Sequence, residues 1–112
     1  MDCRDLATQA HAAGMKALHA AEPTPMVVVG AGASYVVADG VCGFAWVTFK
    51  GNTKFGRWAK AAGVARPSIM GGLRIAVHEG GQSMARKEAY AQAYAATLRA
   101  AGVEAYAHAR MD

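Results

Sequence analysis

Three stretches of this chain alternate with a period of two, and their phases agree. In Val41 to Lys50, the residues Val41, Gly43, Ala45, Val47 and Phe49 fall on one face, and Cys42, Phe44, Trp46, Thr48 and Lys50 on the other. Leu73 to His78 sets Leu73, Ile75 and Val77 against Arg74, Ala76 and His78. Val103 to Arg110 sets Val103, Ala105, Ala107 and Ala109 against Glu104, Tyr106, His108 and Arg110. Each strand thus has a small aliphatic side suited to packing under helices, and a second side carrying rings and cations. The pattern predicts a sheet covered on one face and different in chemistry on the other.

Helical signals fall between these strands. Asp2 to Ala21 is alanine-rich, with Leu6, Ala10, Ala13, Ala17 and Ala21 at helical spacing and Asp2 and Asp5 in the first turn, where the helix dipole favours acids. Gly14 interrupts it, and Glu22-Pro23-Thr24-Pro25 ends it, because proline disfavours helix in the residue before it. Thr53 offers an N-cap for a helix from Lys54 to Ala62 closed by Gly63, and Ser83 one for Met84 to Ala101, closed by Gly102. Tyr90, Tyr94 and Leu98 form an i, i+4, i+8 stripe on that last helix. Met26 to Ser34 reads as a short strand or a loose arm, Tyr35 to Ala38 as extended and Asp39-Gly40 as a turn. Arg66-Pro67-Ser68 through Gly71-Gly72 reads as loop.

Two strand–helix–strand units in succession call for right-handed crossovers and strands that run largely parallel. The expected fold is an α/β two-layer sandwich: a largely parallel or mixed sheet of three or four strands, two crossover helices on one face, and an N-terminal helix. At 112 residues it forms one domain, since chains split only beyond roughly 200. Its parts are a helix over 2–21, a proline-containing linker over 22–25 and a core over 26–112.

Composition narrows the class. With 54% hydrophobic and 18% charged residues the chain is globular. No window approaches the roughly 18 apolar residues of a membrane span, and no basic-then-apolar leader opens the sequence. Two cysteines, Cys3 and Cys42, make no disulfide framework, which fits a reducing compartment. Twelve basic against eight acidic residues give +4, a lean towards polyanionic partners. Between Asp39 and Glu79 there is no acidic residue, whereas Lys50, Lys54, Arg57, Lys60, Arg66 and Arg74 all lie there.

The ring-and-cation face is the candidate working surface: Phe44, Trp46, Lys50, Arg74, His78, Tyr106, His108 and Arg110, with Lys54 and Arg57 from the short basic helix. Bases stack on such rings for about 1–3 kcal/mol each while cations neutralise phosphates, so single-stranded nucleic acid is a ligand of matching chemistry. The bland alternative is that Phe44 and Trp46 form a second core layer, under the N-terminal helix or in a homo-oligomer.

Enzyme signals are weaker. Val27 to Tyr35 begins like a dinucleotide-binding turn, but Tyr35 stands where the third glycine belongs and Val36-Val37 continue as strand, so that reading is rejected. Cys42 with His78 could compose a thiol–imidazole pair for a small hydrolase or transferase, although strand residues rarely enjoy the helix N-terminus that activates a thiol. His11 and His19 lie eight positions apart, about 12 Å along a helix, too far to share a metal. His78 and His108 could meet across neighbouring strands on the open face, but one such pair is a weak metal signal, and two hydrogen-bonded surface histidines are the better reading. No cofactor and no metal are expected.

Three motifs, Asp39-Gly40-Val41-Cys42-Gly43-Phe44-Ala45-Trp46-Val47, Gln82-Ser83-Met84 with Arg86-Lys87-Glu88-Ala89-Tyr90-Ala91, and Ala105-Tyr106-Ala107 with Arg110-Met111-Asp112, resemble a family of small uncharacterised proteins encoded by bacteriophages and prophages. The similarity covers roughly residues 23 to 112. It implies a phage protein in the cytoplasm of a bacterial host and brings no catalytic residue with it. The expectation is a non-enzymatic accessory protein that binds nucleic acid or a host protein, such as a defence component, through the open sheet face.

Overall fold

The computed structural model describes residues 2–23, 26–30, 33–37 and 40–112, with backbone alone for 26–30 and 33–37. Helix α1 (Cys3–Ala20) is capped by the Asp2 carboxylate, which accepts from the Arg4 N–H at 2.7 Å. Strands β1 (Met26–Gly30) and β2 (Ala33–Val37) pair antiparallel as a separate ribbon, with Val28 opposite Tyr35. The choice between strand and loose arm is thereby settled for 26–30. The tip of that ribbon, Thr24-Pro25 of the linker, and the predicted extension and turn at Ala38-Asp39 lie outside the described residues.

The main sheet contains β3 (Gly43–Phe49), β4 (Arg66–Pro67), β5 (Leu73–Ala76) and β6 (Ala105–Met111), in the order β4-β5-β3-β6. Every neighbouring pair is antiparallel. The expected parallel or mixed sheet is therefore corrected, and the reason is β4. Its two residues, one of them a proline confined to the sheet edge, read as loop. They form a hairpin with β5, turned through Ser68–Gly72, where Gly71 (φ 95°) and Gly72 (φ 70°) take left-handed conformations. With β4 present, the chain returning from helix α2 (Lys54–Ala61) enters β4 in the direction of β3, and β5 then reverses between them. In the same way β5 and β6 run in one direction with β3 inserted between them. The two strand–helix–strand units exist, but each is split by an opposing strand.

Helix α3 (Met84–Ala100) covers the aliphatic face of β3 and β6, and its stripe Tyr90, Tyr94 and Leu98 is buried with Ala45, Val47, Phe49 and Ala105. The α2 helix lies on the same side, with Phe55 edge-on to Phe49 at 5.2 Å. Helix α1 packs against α3 and joins the same hydrophobic cluster. Its contact line is Leu6, Ala10, Gly14 and Leu18, a strict i+4 row, so Gly14 is where the helices approach closely. Ala13 and Ala17 flank this row instead of forming it. The predicted start of the central strand shifts as well: Val41 is exposed, and Cys42 pairs with Ser83 in an isolated bridge. Among the described residues no helix is long and apolar enough to cross a membrane.

Candidate functional site

Because all three helices gather on the aliphatic side, the opposite face of β3 and its neighbours carries the rings and cations that the alternation placed there. Register assembles them into rows. Trp46 on β3 stands opposite His108 on β6 and Ala76 on β5; Thr48 stands opposite Tyr106 and Arg74; Phe44 stands opposite Arg110.

The central row is organised. The His108 imidazole stacks on the Trp46 indole, with centroids 5.6 Å apart and planes 15° from parallel. Its Nε2 is held 2.8 Å from the Thr48 hydroxyl, which fixes the ring's rotation. The Arg74 guanidinium lies 5.0 Å from the Trp46 ring centroid. Cation, indole and imidazole thus span three strands. In the next row the Arg110 guanidinium lies 5.5 Å and the Lys87 ammonium 5.7 Å from the centroid of Phe44, which is 43% exposed. Lys87 projects from the first turn of α3, and no strand periodicity could have revealed it.

The other end of the face differs in charge. The Tyr106 hydroxyl donates to Glu104 at 2.8 Å, and Lys50 lies 3.6 Å from the second oxygen of that carboxylate. The hydrogen bond from Tyr106, then the Lys50 charge, hold Glu104 below the usual carboxylate range, and the same bond raises the Tyr106 phenol. Lys50 is therefore already matched with an acid. Among the described residues, the positive charge on this face that has no acidic partner lies with Arg74 and Arg110.

Of the expected binding set, Phe44, Trp46, Arg74, Tyr106, His108 and Arg110 share the face, with Lys50 at its end. Lys54 and Arg57 do not join it. They sit exposed on α2, on the far side of the sheet, where Arg57 donates to the Asn52 carbonyl at 2.9 Å. His78 also departs: β5 ends at Ala76, and the His78 N–H binds the neighbouring Glu79 carboxylate at 3.2 Å. His78 and His108 do not meet: His78 lies past the end of β5, and β3 stands between β5 and the strand that carries His108. Cys42 is partly buried as a free thiol, and no hydrogen bond joins it to His78 or another imidazole among the described residues. Among those residues no three His, Cys, Asp or Glu side chains converge on a point where a metal ion would fit.

No family model, curated protein or solved structure matches the chain.

Proposed function

We propose that this chain is a non-enzymatic accessory protein of phage type, working in the cytoplasm of a bacterial host by binding single-stranded nucleic acid on its open sheet face. The observation that carries the reading is the Arg74–Trp46–His108 row, flanked by the exposed rings of Phe44 and Tyr106. A base needs a flat apolar surface and a phosphate needs an unneutralised cation within one nucleotide's reach, and this face supplies both in alternation. The α1 helix, which could have covered the face, packs on α3 instead. The basic balance of the chain favours the same ligand.

Under this reading Trp46, Phe44 and Tyr106 stack bases, and Arg74, Arg110 and His108 contact phosphate or sugar. Lys50 tunes one end through Glu104. Binding of labelled single-stranded DNA and RNA, followed by anisotropy over a salt series, tests it. Trp46→Ala is expected to weaken binding about 5- to 100-fold at every salt concentration, the equivalent of one lost stacking contact. Arg110→Gln is expected to weaken it and to lower the salt slope by about one, for one released counterion. Binding indifferent to both changes, or no binding at low salt, overturns the assignment and leaves the face to a host protein or to a second copy of the chain.

A further inference from the structure

A second concave surface runs along the β4–β5 edge of the sheet, beside the helices. Between α1, α2, β5 and α3 runs a groove of about 1190 Å³, ample beside the roughly 300–1,000 Å³ of small-ligand sites. Its walls include Trp58 and Ile75, and the buried rings of Tyr90 and Tyr94 reach it from α3. Three guanidinium groups, Arg4, Arg66 and Arg74, line it. Arg74 is engaged with Trp46, but neither Arg4 nor Arg66 has an acidic partner among the described residues. The one carboxylate in the lining, Glu79, is turned to other groups: one oxygen accepts from the His78 N–H, the other lies 3.9 Å from His11.

We infer that this groove is a second binding site, for a small anion with a planar aromatic body such as an aryl phosphate. Partly exposed Trp58 and Ile75 supply an apolar surface for the body, and the two arginines without an acidic partner supply forked donors that match phosphate geometry. The floor is fixed in advance: the Tyr90 hydroxyl lies 2.6 Å from His11 Nδ1, and the two rings meet edge to face at 5.7 Å. Tyr90 and Tyr94 are neutral phenols at neutral pH, and burial raises both further, so neither repels an anion. Charge complementarity is what selects this occupant over a neutral or cationic one.

The test follows the two indole N–H resonances of the intact protein by NMR while naphthyl phosphate is added, with naphthol as the uncharged comparison. Trp58 lines the groove and Trp46 does not, so the Trp58 indole is the direct reporter of this site. The expected result is a saturable shift of the Trp58 signal larger than any passed to Trp46 through Arg74, and a much weaker response to naphthol. Arg4→Gln and Arg66→Gln, both at exposed positions that leave the core intact, are each expected to weaken binding about tenfold, the loss of one hydrogen-bonded charge contact. A Trp58 signal that does not respond, naphthol binding as tightly as the phosphate, or wild-type affinity in both variants overturns the inference. Oligonucleotide binding reported at Trp46 is a separate outcome, so either site can fail alone.

Discussion

Gly14→Ala in α1 sets two known effects against each other. Alanine is favoured over glycine in a helix interior by about 0.5–1 kcal/mol, so from the sequence alone the change stabilises. In the structure a Cβ at this position would lie 2.6 Å and 2.7 Å from Cδ2 and Cε2 of Tyr90. Carbon atoms prefer about 3.5–4.0 Å, so one helix or the ring must move by roughly 1 Å. The ring has little room: it is buried, Tyr94 lies 5.9 Å away, and its hydroxyl is bonded to His11. Overpacking of this kind costs about 1–3 kcal/mol, which outweighs the propensity gain and leaves a net loss of about 1 kcal/mol. For a domain of this size that lowers Tm by about 4 °C. Urea and thermal melts of wild type, Gly14→Ala, Tyr90→Leu and the double variant measure it. The cycle is expected to show a coupling of at least about 0.5 kcal/mol, because the shorter leucine relieves the overlap. A Gly14→Ala protein that melts several degrees higher than wild type refutes the α1–α3 contact.

Further outcomes follow from other sites. Tyr94 is pushed up to about 12 by burial, with Glu79 adding to it, so its stabilising share is whole below pH 10 and is lost between 10 and about 12 as the unfolded chain alone ionises. Tyr94→Phe is therefore expected to flatten the decline of stability above pH 10 by about 2 kcal/mol, read from urea melts over that range. Ser83→Ala removes a fully buried cap that accepts from the Arg86 N–H at 3.3 Å, and is expected to cost about 1 kcal/mol in the same melts. Tyr106→Phe removes the first cause of the lowered Glu104 carboxyl, whose titration, followed by NMR, should move up towards its ordinary range; an unmoved titration would show that Lys50 alone sets it. As the folded-state value is lowered, any stability Glu104 lends is present above the ordinary carboxylate range and lost as pH falls through the lowered one.

What could be read in the sequence was local. The shared phase of the three alternations placed Phe44, Trp46, Tyr106, His108 and Arg110 on one face, because a pleated strand leaves side chains no other choice. Ser83 and Thr53 were legible as caps because a hydroxyl before a helical run can accept from an orphan N–H of the first turn. Strand direction was not legible, since it turned on β4, a two-residue edge element containing Pro67 that carries no periodicity. The departure of Lys54 and Arg57 from the face was legible, because the aliphatic sides of the strands were already read as lying under the helices, and cations borne on α2 fall on that side. His11–Tyr90 and Lys87–Phe44 join segments far apart in the chain, and Gly14 reads as a helix breaker until the ring opposite it is seen.

The open face can be tested most directly through Trp46 itself. In a Trp58→Phe protein Trp46 is the sole tryptophan, and acrylamide quenching of its emission, with and without a short single-stranded oligonucleotide, reports both its access to solvent and its cover by ligand. The expected result is a quenchable indole, partly shielded by Arg74 and His108, that becomes protected as the oligonucleotide is added and is released again at high salt. An indole already inaccessible in the free protein, or one whose quenching the oligonucleotide leaves unchanged, contradicts a nucleic-acid platform on this face.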